Sequence, residues 1–228
     1  MTGKRISVFE ELKQVDALVD LQHEPQQVVE RLPFTVRIVQ NEEDLMKAVR
    51  VRHEAYAKHL PASASALSEP EEEDERPDTA VLLAESKLDG SALGSVRVQT
   101  NCDGPLPVER SLHLPPILQN QTLADARRLA IVRGGEGGLV RTALFKALFQ
   151  YWQHISVDWA VVAARPPLHR TYERLMFSNV LTDPEFTPQL PGISVSCQES
   201  AFPITSLHSG HLTTLWLSRL LLRNNAGL

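Results

Sequence analysis

The sequence lacks the features that mark several common protein classes. It contains only two cysteines, Cys102 and Cys197, and neither belongs to a CxxC pair or to a His/Cys cluster at metal-binding spacing. We therefore expect neither a disulfide framework nor a metal site. No apolar run approaches the roughly 20 residues of a membrane-spanning helix, and the N-terminus mixes charges into its apolar positions, unlike a secretory signal. These absences predict a cytoplasmic protein without a transmembrane segment.

Signatures of other enzyme classes are missing as well. The sequence has no GK[ST], GxSxG, HExxH or protein-kinase motif. His208 and His211 are more typical of an exposed pair near a helix start than of a metal site. The net charge of −5 argues against nucleic-acid binding.

Charge is distributed unevenly along the chain. Seven carboxylates crowd residues 69–78, whereas the later half is basic. That half is suited to an anionic partner, although a solvated surface is the simpler interpretation of any single arginine. Its cations are Arg127, Arg128, Arg133, Arg141, Lys146, Arg165, Arg170 and Arg174.

The length of 228 residues suits one domain with a core and some appended sequence. Residues 1–33 carry apolar residues at helical spacing and predict an N-terminal helical extension, which leaves 34–228 as the main domain. Within it, Asn41 is a predicted N-cap, and the acidic run that ends at Asp78 has no periodicity and predicts a mobile loop. The predicted elements are strand 34–40, helix 41–60, a hairpin of 79–87 and 91–101, strand 124–132, helix 140–153, parallel strand 157–164, helix 166–177, strands near 186 and at 193–197, and helix 212–223.

A glycine-rich loop, residues 133–138 (RGGEGG), joins a predicted strand to a predicted helix. Such a loop offers phosphate its free backbone N–H groups and the positive end of the helix dipole. It is not a Walker A loop, and Val140 stands where a dinucleotide motif needs its third glycine. A turn that requires positive φ explains the glycines as well as phosphate binding does.

The same loop resembles the acyl-donor motif R/Q-x-x-G-x-G/A of the GNAT superfamily of N-acyltransferases. Arg133 and Gly138 match it, Glu136 replaces its first glycine, and residues 169–177 (HRTYERLMF) resemble the superfamily's YE-x-x-GF helix with Met176 at the glycine position. The resemblance implies a mixed α+β fold with a central twisted sheet flanked by helices. It also implies a phosphopantetheine thioester as co-substrate and no tightly bound cofactor. The donor would be held by Arg133, Gly134, Gly135, Gly137 and Gly138.

A second resemblance, over residues 34 to about 180, is to N-acyl amino acid synthases of the FeeM type, which are related to the acyl-homoserine lactone autoinducer synthases. Residues 52–56 (RHEAY) match R-x-x-[AV]-[FY], residues 94–97 (GSVR) match G-x-x-R, and residues 125–128 (DARR) match E-x-x-R with an aspartate for the glutamate. Glu75 and Asp78 match an acidic pair three residues apart. Unlike the lactone synthases, this chain has no tryptophan soon after Tyr56.

The resemblance implies roles for individual residues. Arg52, Arg97, Asp125, Arg128 and one of Glu75 or Asp78 would converge beside the cleft, whereas a purely structural Arg52–Glu75 pair is the alternative. The remaining assignments are catalytic roles for Arg52, Asp78, Asp125, Arg128 and Tyr172, substrate binding by Glu75 and Arg97, and backbone N–H groups at Leu129, Ala130, Ile131 and Val132 for the carbonyl oxygen.

Each catalytic role has a structural alternative. An α-amine titrates near 8, so a carboxylate acting through water, Asp125 or Asp78, is a sufficient base. Both carboxylates are equally well explained as anchors for arginines. Tyr172 resembles the tyrosine that protonates the leaving thiolate, and a core tyrosine is the alternative.

The sequence therefore predicts transfer of an acyl group from an acyl-carrier-protein or CoA thioester to the amine of an amino acid or similar small molecule. The basic later half favours acyl carrier protein as partner. Each buried CH₂ contributes ~0.8 kcal/mol, which favours a long chain beside residues 157–164, where Ala163 and Ala164 leave space. The alternatives are an autoinducer synthase, an acetyl-CoA-dependent acetyltransferase and a non-catalytic binding protein.

Overall fold

A computed structural model describes residues 32–59, 64–111, 113–132, 134, 137–164, 169–175, 177–179 and 198–203. From Pro33 onward they belong to one compact unit, Pro33–Leu228. The predicted N-terminal helical extension and the elements predicted near 186, at 193–197 and at 212–223 lie outside the described residues and stay predictions.

A seven-stranded sheet runs through the described part of the chain, with the strand order β1-β2-β3-β4-β5-β7-β6. The neighbouring strands are antiparallel except β4 and β5, which are parallel. The strands are β1 (Phe34–Ile38), β2 (Thr79–Ser86), β3 (Ala92–Thr100), β4 (Leu123–Ile131), β5 (Trp159–Ala164), β6 (Ser178–Asn179) and β7 (Gln198–Pro203).

Two long helices cover opposite faces of this sheet. The helices are α1 (Glu42–His59), α2 (Pro107–Ser111), α3 (Gly137–His154) and α4 (His169–Arg174). The Ser95 hydroxyl of β3 donates to the Ala48 carbonyl of α1, whereas a Cβ on the adjacent Gly94 would lie 3.0 Å from Val140 of α3. Because successive strand residues point to opposite faces, α1 and α3 lie on opposite sides of β3.

The α3 face of the sheet is apolar. Leu144, Leu148, Phe149 and Trp152 of α3 are buried, with at most 2% of each residue exposed. A Cβ on Gly94 would also lie 3.1 Å from the Ala130 carbonyl and from Leu144. The missing side chain therefore lets α3 approach β3 and β4 closely, directly after the glycine-rich loop.

Several sequence-based elements are confirmed. The hairpin β2–β3 is present, and the Asp44 N–H donates to the Asn41 side-chain oxygen at 2.9 Å, as expected of an N-cap. Helix α3 begins at Gly137, three residues before its predicted start at 140. The proline-rich segment after β3 contains α2 and a 3-10 turn at Pro116–Leu118, and it buries apolar side chains against β4 and β5.

The prediction of a mobile acidic loop before Asp78 is wrong for its described part. Residues 64–78 contain 3-10 turns at Ser65–Leu67 and Glu72–Asp74. The His53 ring nitrogen contacts the Ala64 carbonyl at 2.9 Å, and buried arginines hold the second turn. Ion pairs with arginines offset the repulsion among these carboxylates and fix the turn, and this explains the difference.

Candidate active site

Arg52 lies on the buried side of α1, where only 1% of the residue is exposed. An arginine among apolar neighbours needs a carboxylate partner, because an isolated buried charge is very unfavourable. Its Nη1 donates to both carboxylate oxygens of Asp74, at 2.7 and 2.8 Å. The partner is thus not Glu75, which is exposed.

The turn Glu72–Asp74 and its N-cap Glu71 present two carboxylates, those of Glu71 and Asp74, to the sheet and are joined by a capping box. Asp74 accepts a hydrogen bond from the Glu71 N–H at 3.0 Å, while the Asp74 N–H donates to the Glu71 carbonyl at 2.8 Å. Burial works against the charge on Asp74, but Arg52 and Arg97 outweigh it and hold the pKa of Asp74 below its ordinary value. Asp74 is therefore ionised at neutral pH.

Arg97 of β3 and Arg128 of β4 reach the same two carboxylates. Arg97 Nη1 donates to Glu71 at 3.2 Å and to Asp74 at 3.4 Å. Arg128 Nε and Nη2 donate to the two oxygens of Glu71 at 2.7 and 2.5 Å, which is a bidentate pair. Arg52, Glu71, Asp74, Arg97 and Arg128 are hereafter called the arginine cluster.

The arginine cluster has more positive than negative charge. Three guanidinium groups share two carboxylates, and at most 17% of any of the five side chains is exposed. Burial, together with Arg52 and Arg128, lowers the pKa of Arg97. Within the described part of the chain, Arg52 Nε, Arg52 Nη2 and Arg97 Nε are buried without a hydrogen-bond partner. Spare donors and excess positive charge suit a nearby anion.

Strand β4 carries a bulge beside this cluster. Arg127 pairs with Arg97 and Ala130 pairs with Ser95, so Arg128 and Leu129 together oppose one residue of β3. Arg128 has φ of 55°, a left-handed conformation that is unfavourable by roughly 1–2 kcal/mol for residues other than glycine. Strain of this kind is typical of functional sites.

Strands β4 and β5 separate next to the bulge. Their parallel pairing covers only Leu123–Asp125 of β4, after which β5 continues alongside β7. The Val132 N–H donates to the Leu93 carbonyl on β3. Because N–H groups alternate along a regular strand, that of Ile131 points to the opposite edge, where β5 has diverged. This edge can hold a carbonyl oxygen.

Asp125 lies at the point of separation, with 1% of the residue exposed. Its Oδ2 accepts a hydrogen bond from Arg127, so its direct partner is not Arg128. Its Oδ1 is buried without a partner among the described residues. The side-chain amide nitrogen and oxygen of Gln99, which pairs with Asp125 from the adjacent strand β3, are likewise buried without a described partner. Buried polar atoms in native proteins normally bind a ligand, water or another group.

Tyr172 of α4 makes edge-on ring contacts with Phe145, at 6.1 Å between centroids, and with Phe177, at 5.5 Å. Burial raises the pKa of Tyr172, and the neighbouring Tyr56 and Asp125 raise it further. The phenol therefore stays protonated at neutral pH. Tyr56 also places its ring 5.8 Å from the Arg128 guanidinium, which brings the tyrosines and the arginine cluster together.

The structure brings some of the sequence-predicted site residues together and separates others. Arg52, Arg97 and Arg128 converge as predicted, but the acidic pair that joins them is Glu71 and Asp74, which the sequence interpretation missed. Asp78 instead accepts hydrogen bonds from Arg76 at 2.9 and 3.0 Å. Ala130 is buried and Val132 is exposed.

The glycine-rich loop is described in part. Gly134, Gly137 and Gly138 have room around their Cα atoms, and the Gly137 N–H donates to the Gly134 carbonyl at 3.1 Å. Arg133 and Gly135 lie outside the described residues. Among the described side chains, no group of three or more His, Cys, Asp or Glu is arranged to hold a metal ion. No described helix is long and apolar enough to cross a membrane.

Comparison with solved structures shows that this is the fold of the GNAT-type N-acyltransferases. The structure of FeeM, an N-acyl amino acid synthase from uncultured soil microbes, is 14% identical, covers 84% of this chain and 96% of its own, and has a TM-score of 0.59. BjaI, a CoA-dependent acyl-homoserine lactone synthase solved with SAM and isopentyl-CoA, is 15% identical over 82% of this chain and 89% of its own, with a TM-score of 0.55. The structure of aminoglycoside 6'-acetyltransferase type Ii is 12% identical over 75% of this chain and 97% of its own, with a TM-score of 0.51.

The family follows from sequence. The model of the N-acyl amino acid synthase FeeM matches residues 47–197, more than half of the chain. No curated protein matches the sequence significantly. The chain belongs to the FeeM family of N-acyl amino acid synthases and is an acyltransferase.

Proposed function

We propose that this chain transfers a long acyl group from a phosphopantetheine thioester, carried by acyl carrier protein, to the α-amine of an amino acid. One observation carries the proposal. Tyr56 contacts Arg128 of the arginine cluster and is near enough to Tyr172 to raise its pKa, beside the bulged edge of β4. A proton donor, carbonyl-binding N–H groups and an excess of positive charge therefore adjoin one another.

The excess positive charge of the arginine cluster favours an acceptor with a carboxylate. It attracts that group and also disfavours the ammonium form of the adjacent amine, which lowers the amine pKa. An α-amine titrates near 8, so even a small decrease gives a large neutral fraction at pH 7. An amino acid has both groups on one carbon.

The reaction then needs stabilisation of an oxyanion, protonation of the leaving thiolate and removal of a proton from the amine. The neutral amine attacks the thioester carbonyl, and the N–H groups of Leu129 and Ile131 stabilise the resulting oxyanion. The carbon–sulfur bond breaks, and Tyr172 protonates the thiolate. Asp125 accepts the amine proton through a water held with Gln99, whose amide is buried without a described partner. Solvent exchange restores both groups.

The donor would lie along the glycine-rich loop and the N-terminus of α3. That helix has no acidic residue in its first turn, and its exposed surface includes Arg141 and Lys146. Arg170 of α4 is exposed as well. An acidic carrier protein is complementary to these cations. Arg127 does not contribute to this surface, because it pairs with Asp125 and only 12% of its side chain is exposed.

The direct test is product identification. Purified protein is incubated with acyl-carrier-protein and CoA thioesters from two to sixteen carbons, together with the amino acids and S-adenosylmethionine, and products are identified by mass spectrometry. We expect N-acyl amino acids and a rate that increases with chain length. A peak at acetyl, or a product formed only from S-adenosylmethionine, would contradict the proposal, as would no product.

Carrier docking is tested with Arg141→Glu. We expect kcat/KM for the carrier-bound donor to fall about 10-fold, and for the matching acyl-CoA to change less, because the substitution removes a docking charge. Arg50→Glu is the matched control, since Arg50 is exposed on α1, on the opposite face of the sheet. Equal losses on both donors would exclude the carrier assignment.

A further inference from the structure

The β4 bulge contains an arginine, Arg128, at a position where the backbone conformation favours glycine. The reason for an arginine there must lie in its side chain. The bulge places this residue at φ of 55°, where glycine is the favoured residue. The backbone gains nothing from an arginine in this conformation. What arginine adds is a guanidinium group at the bulge.

That guanidinium is held on two sides. Its Nε and Nη2 donate to both oxygens of Glu71 at 2.7 and 2.5 Å, and such a bidentate pair fixes the plane of the group. The ring of Tyr56 on α1 lies 5.8 Å away. Glu71 is itself fixed by the capping box with Asp74, which two hydrogen bonds from Arg52 anchor to α1.

We propose that the Glu71–Arg128 pair is a positioning device that holds the β4 bulge in shape and so directs the N–H groups of Leu129 and Ile131 at the thioester carbonyl. The inference rests on the proposed acyl transfer. It assigns Glu71 and Arg128 a role that acts through the backbone, so neither residue is catalytic by contact with substrate. The turn Glu72–Asp74 is then part of the carbonyl-binding machinery although it belongs to a different segment of the chain.

The sharpest test compares Arg128→Ala with Arg128→Gly. Both variants remove the same charge and the same contacts, but only glycine adopts positive φ without strain. We expect kcat to fall about 10- to 100-fold in the alanine variant, less than the loss from deleting an oxyanion donor outright, and glycine to recover several-fold of it. The difference should appear in kcat, with KM values of the two variants agreeing within about twofold.

Glu71 is tested through its dependence on Arg128. Glu71→Ala should lower kcat about 10-fold in the wild-type background, and by less than about twofold in the Arg128→Gly background, because the pair acts as one unit. Glu72→Ala is the matched control, since Glu72 is exposed in the same turn. Should Glu71→Ala fold poorly, Glu71→Gln keeps the shape of the side chain and is expected to show the same dependence at smaller amplitude.

Amide hydrogen exchange gives a readout that does not require turnover. Exchange at Val132, whose N–H donates to the Leu93 carbonyl at 2.9 Å just after the bulge, should accelerate about 10-fold in Arg128→Ala and Glu71→Ala, and less in Arg128→Gly. Equal effects of alanine and glycine, additive losses in the double variant, or unchanged exchange would each overturn the positioning role. A protein that transfers no acyl group but shows the expected exchange would refute the proposed function and leave the device intact.

Discussion

Two ionic networks join α1 to the sheet, and they differ in burial. The edge network, consisting of Arg37, Asp44, Lys47 and Glu85, connects α1 to β1 and β2, with Arg37 Nη2 donating to Glu85 at 3.0 Å and Lys47 to Glu85 at 2.6 Å. The side chains of Arg37 and Lys47 are 35% and 21% exposed. In the arginine cluster, the Arg52 and Asp74 side chains are 2% and 0% exposed.

The two networks also differ in charge balance. In the edge network two cations, Arg37 and Lys47, meet two carboxylates, Asp44 and Glu85, so no positive charge is left over. In the arginine cluster three guanidinium groups share two carboxylates. An unmatched charge is tolerable at a surface and unfavourable when buried. The imbalance therefore points to function, whereas the balanced edge network is explained by stability alone.

The largest effect should come from removing a carboxylate of the arginine cluster. Asp74→Asn leaves Arg52 buried beside a neutral amide, and breaking a buried pair in this way typically destabilises a protein by about 3–5 kcal/mol. Arg37→Gln in the edge network is the matched control and should change the free energy of unfolding by about 0.2–1 kcal/mol. Denaturant titration measures both. Equal losses would remove the distinction between the two networks.

The second prediction separates function from stability within the cluster. Arg97→Met leaves two guanidinium groups for two carboxylates, so the free energy of unfolding should stay equal or rise. The KM for an amino acid acceptor should rise about 10-fold, because the charge that attracts its carboxylate is gone. The amide of the same amino acid, which lacks a carboxylate, serves as control and should be little affected. A comparable loss on both acceptors would contradict the role of the excess charge.

Much of this arrangement can be predicted from the sequence. The position of Arg52 on an apolar helix side already demands a partner, and Asn41 predicts the start of the same helix. Arg97 and Arg128 are found through their motif matches. These predictions succeed because they depend on local periodicity and on short motifs, which the sequence contains directly.

The partners of these arginines are harder to predict. The acidic run contains several pairs spaced three apart, among them Glu71 with Asp74 and Glu75 with Asp78. Spacing alone does not choose between them; the capping box and tertiary burial do. The bulge at Arg128 leaves no local signal either, because the usual sign of positive φ is a glycine. In both cases long-range contacts decide the conformation.

Acid should weaken the arginine cluster in a defined pH range. The pKa of Asp74 is lowered in the folded protein, chiefly because Arg52 and Arg97 outweigh the effect of burial. Its stabilising contribution is therefore complete above the unfolded value of ~3.9 and is lost as pH falls through the folded pKa, at ~1.4 kcal/mol per unit of pKa difference. Denaturant titrations from pH 6 to 2.5 should show that the difference in unfolding free energy between wild type and Asp74→Asn becomes smaller below about pH 4. A gap independent of pH would mean that this carboxylate is not stabilised by folding.

Salt should produce the smallest effect and should act on the edge network alone. At 1 M salt the Debye length is about 3 Å, so the interaction of partly exposed charges such as Arg37 and Glu85 is largely screened. The gap in unfolding free energy between wild type and Arg37→Gln should then shrink by a few tenths of a kcal/mol relative to low salt. The gap for Asp74→Asn should stay constant, because solvent ions do not reach a carboxylate whose side chain is 0% exposed. Paired denaturant titrations at 0.05 and 1 M sodium chloride, about a 20-fold range, measure both gaps. An equal salt dependence of the two gaps would show that the arginine cluster is as accessible to solvent as the edge network, and its unmatched charge would then need no ligand.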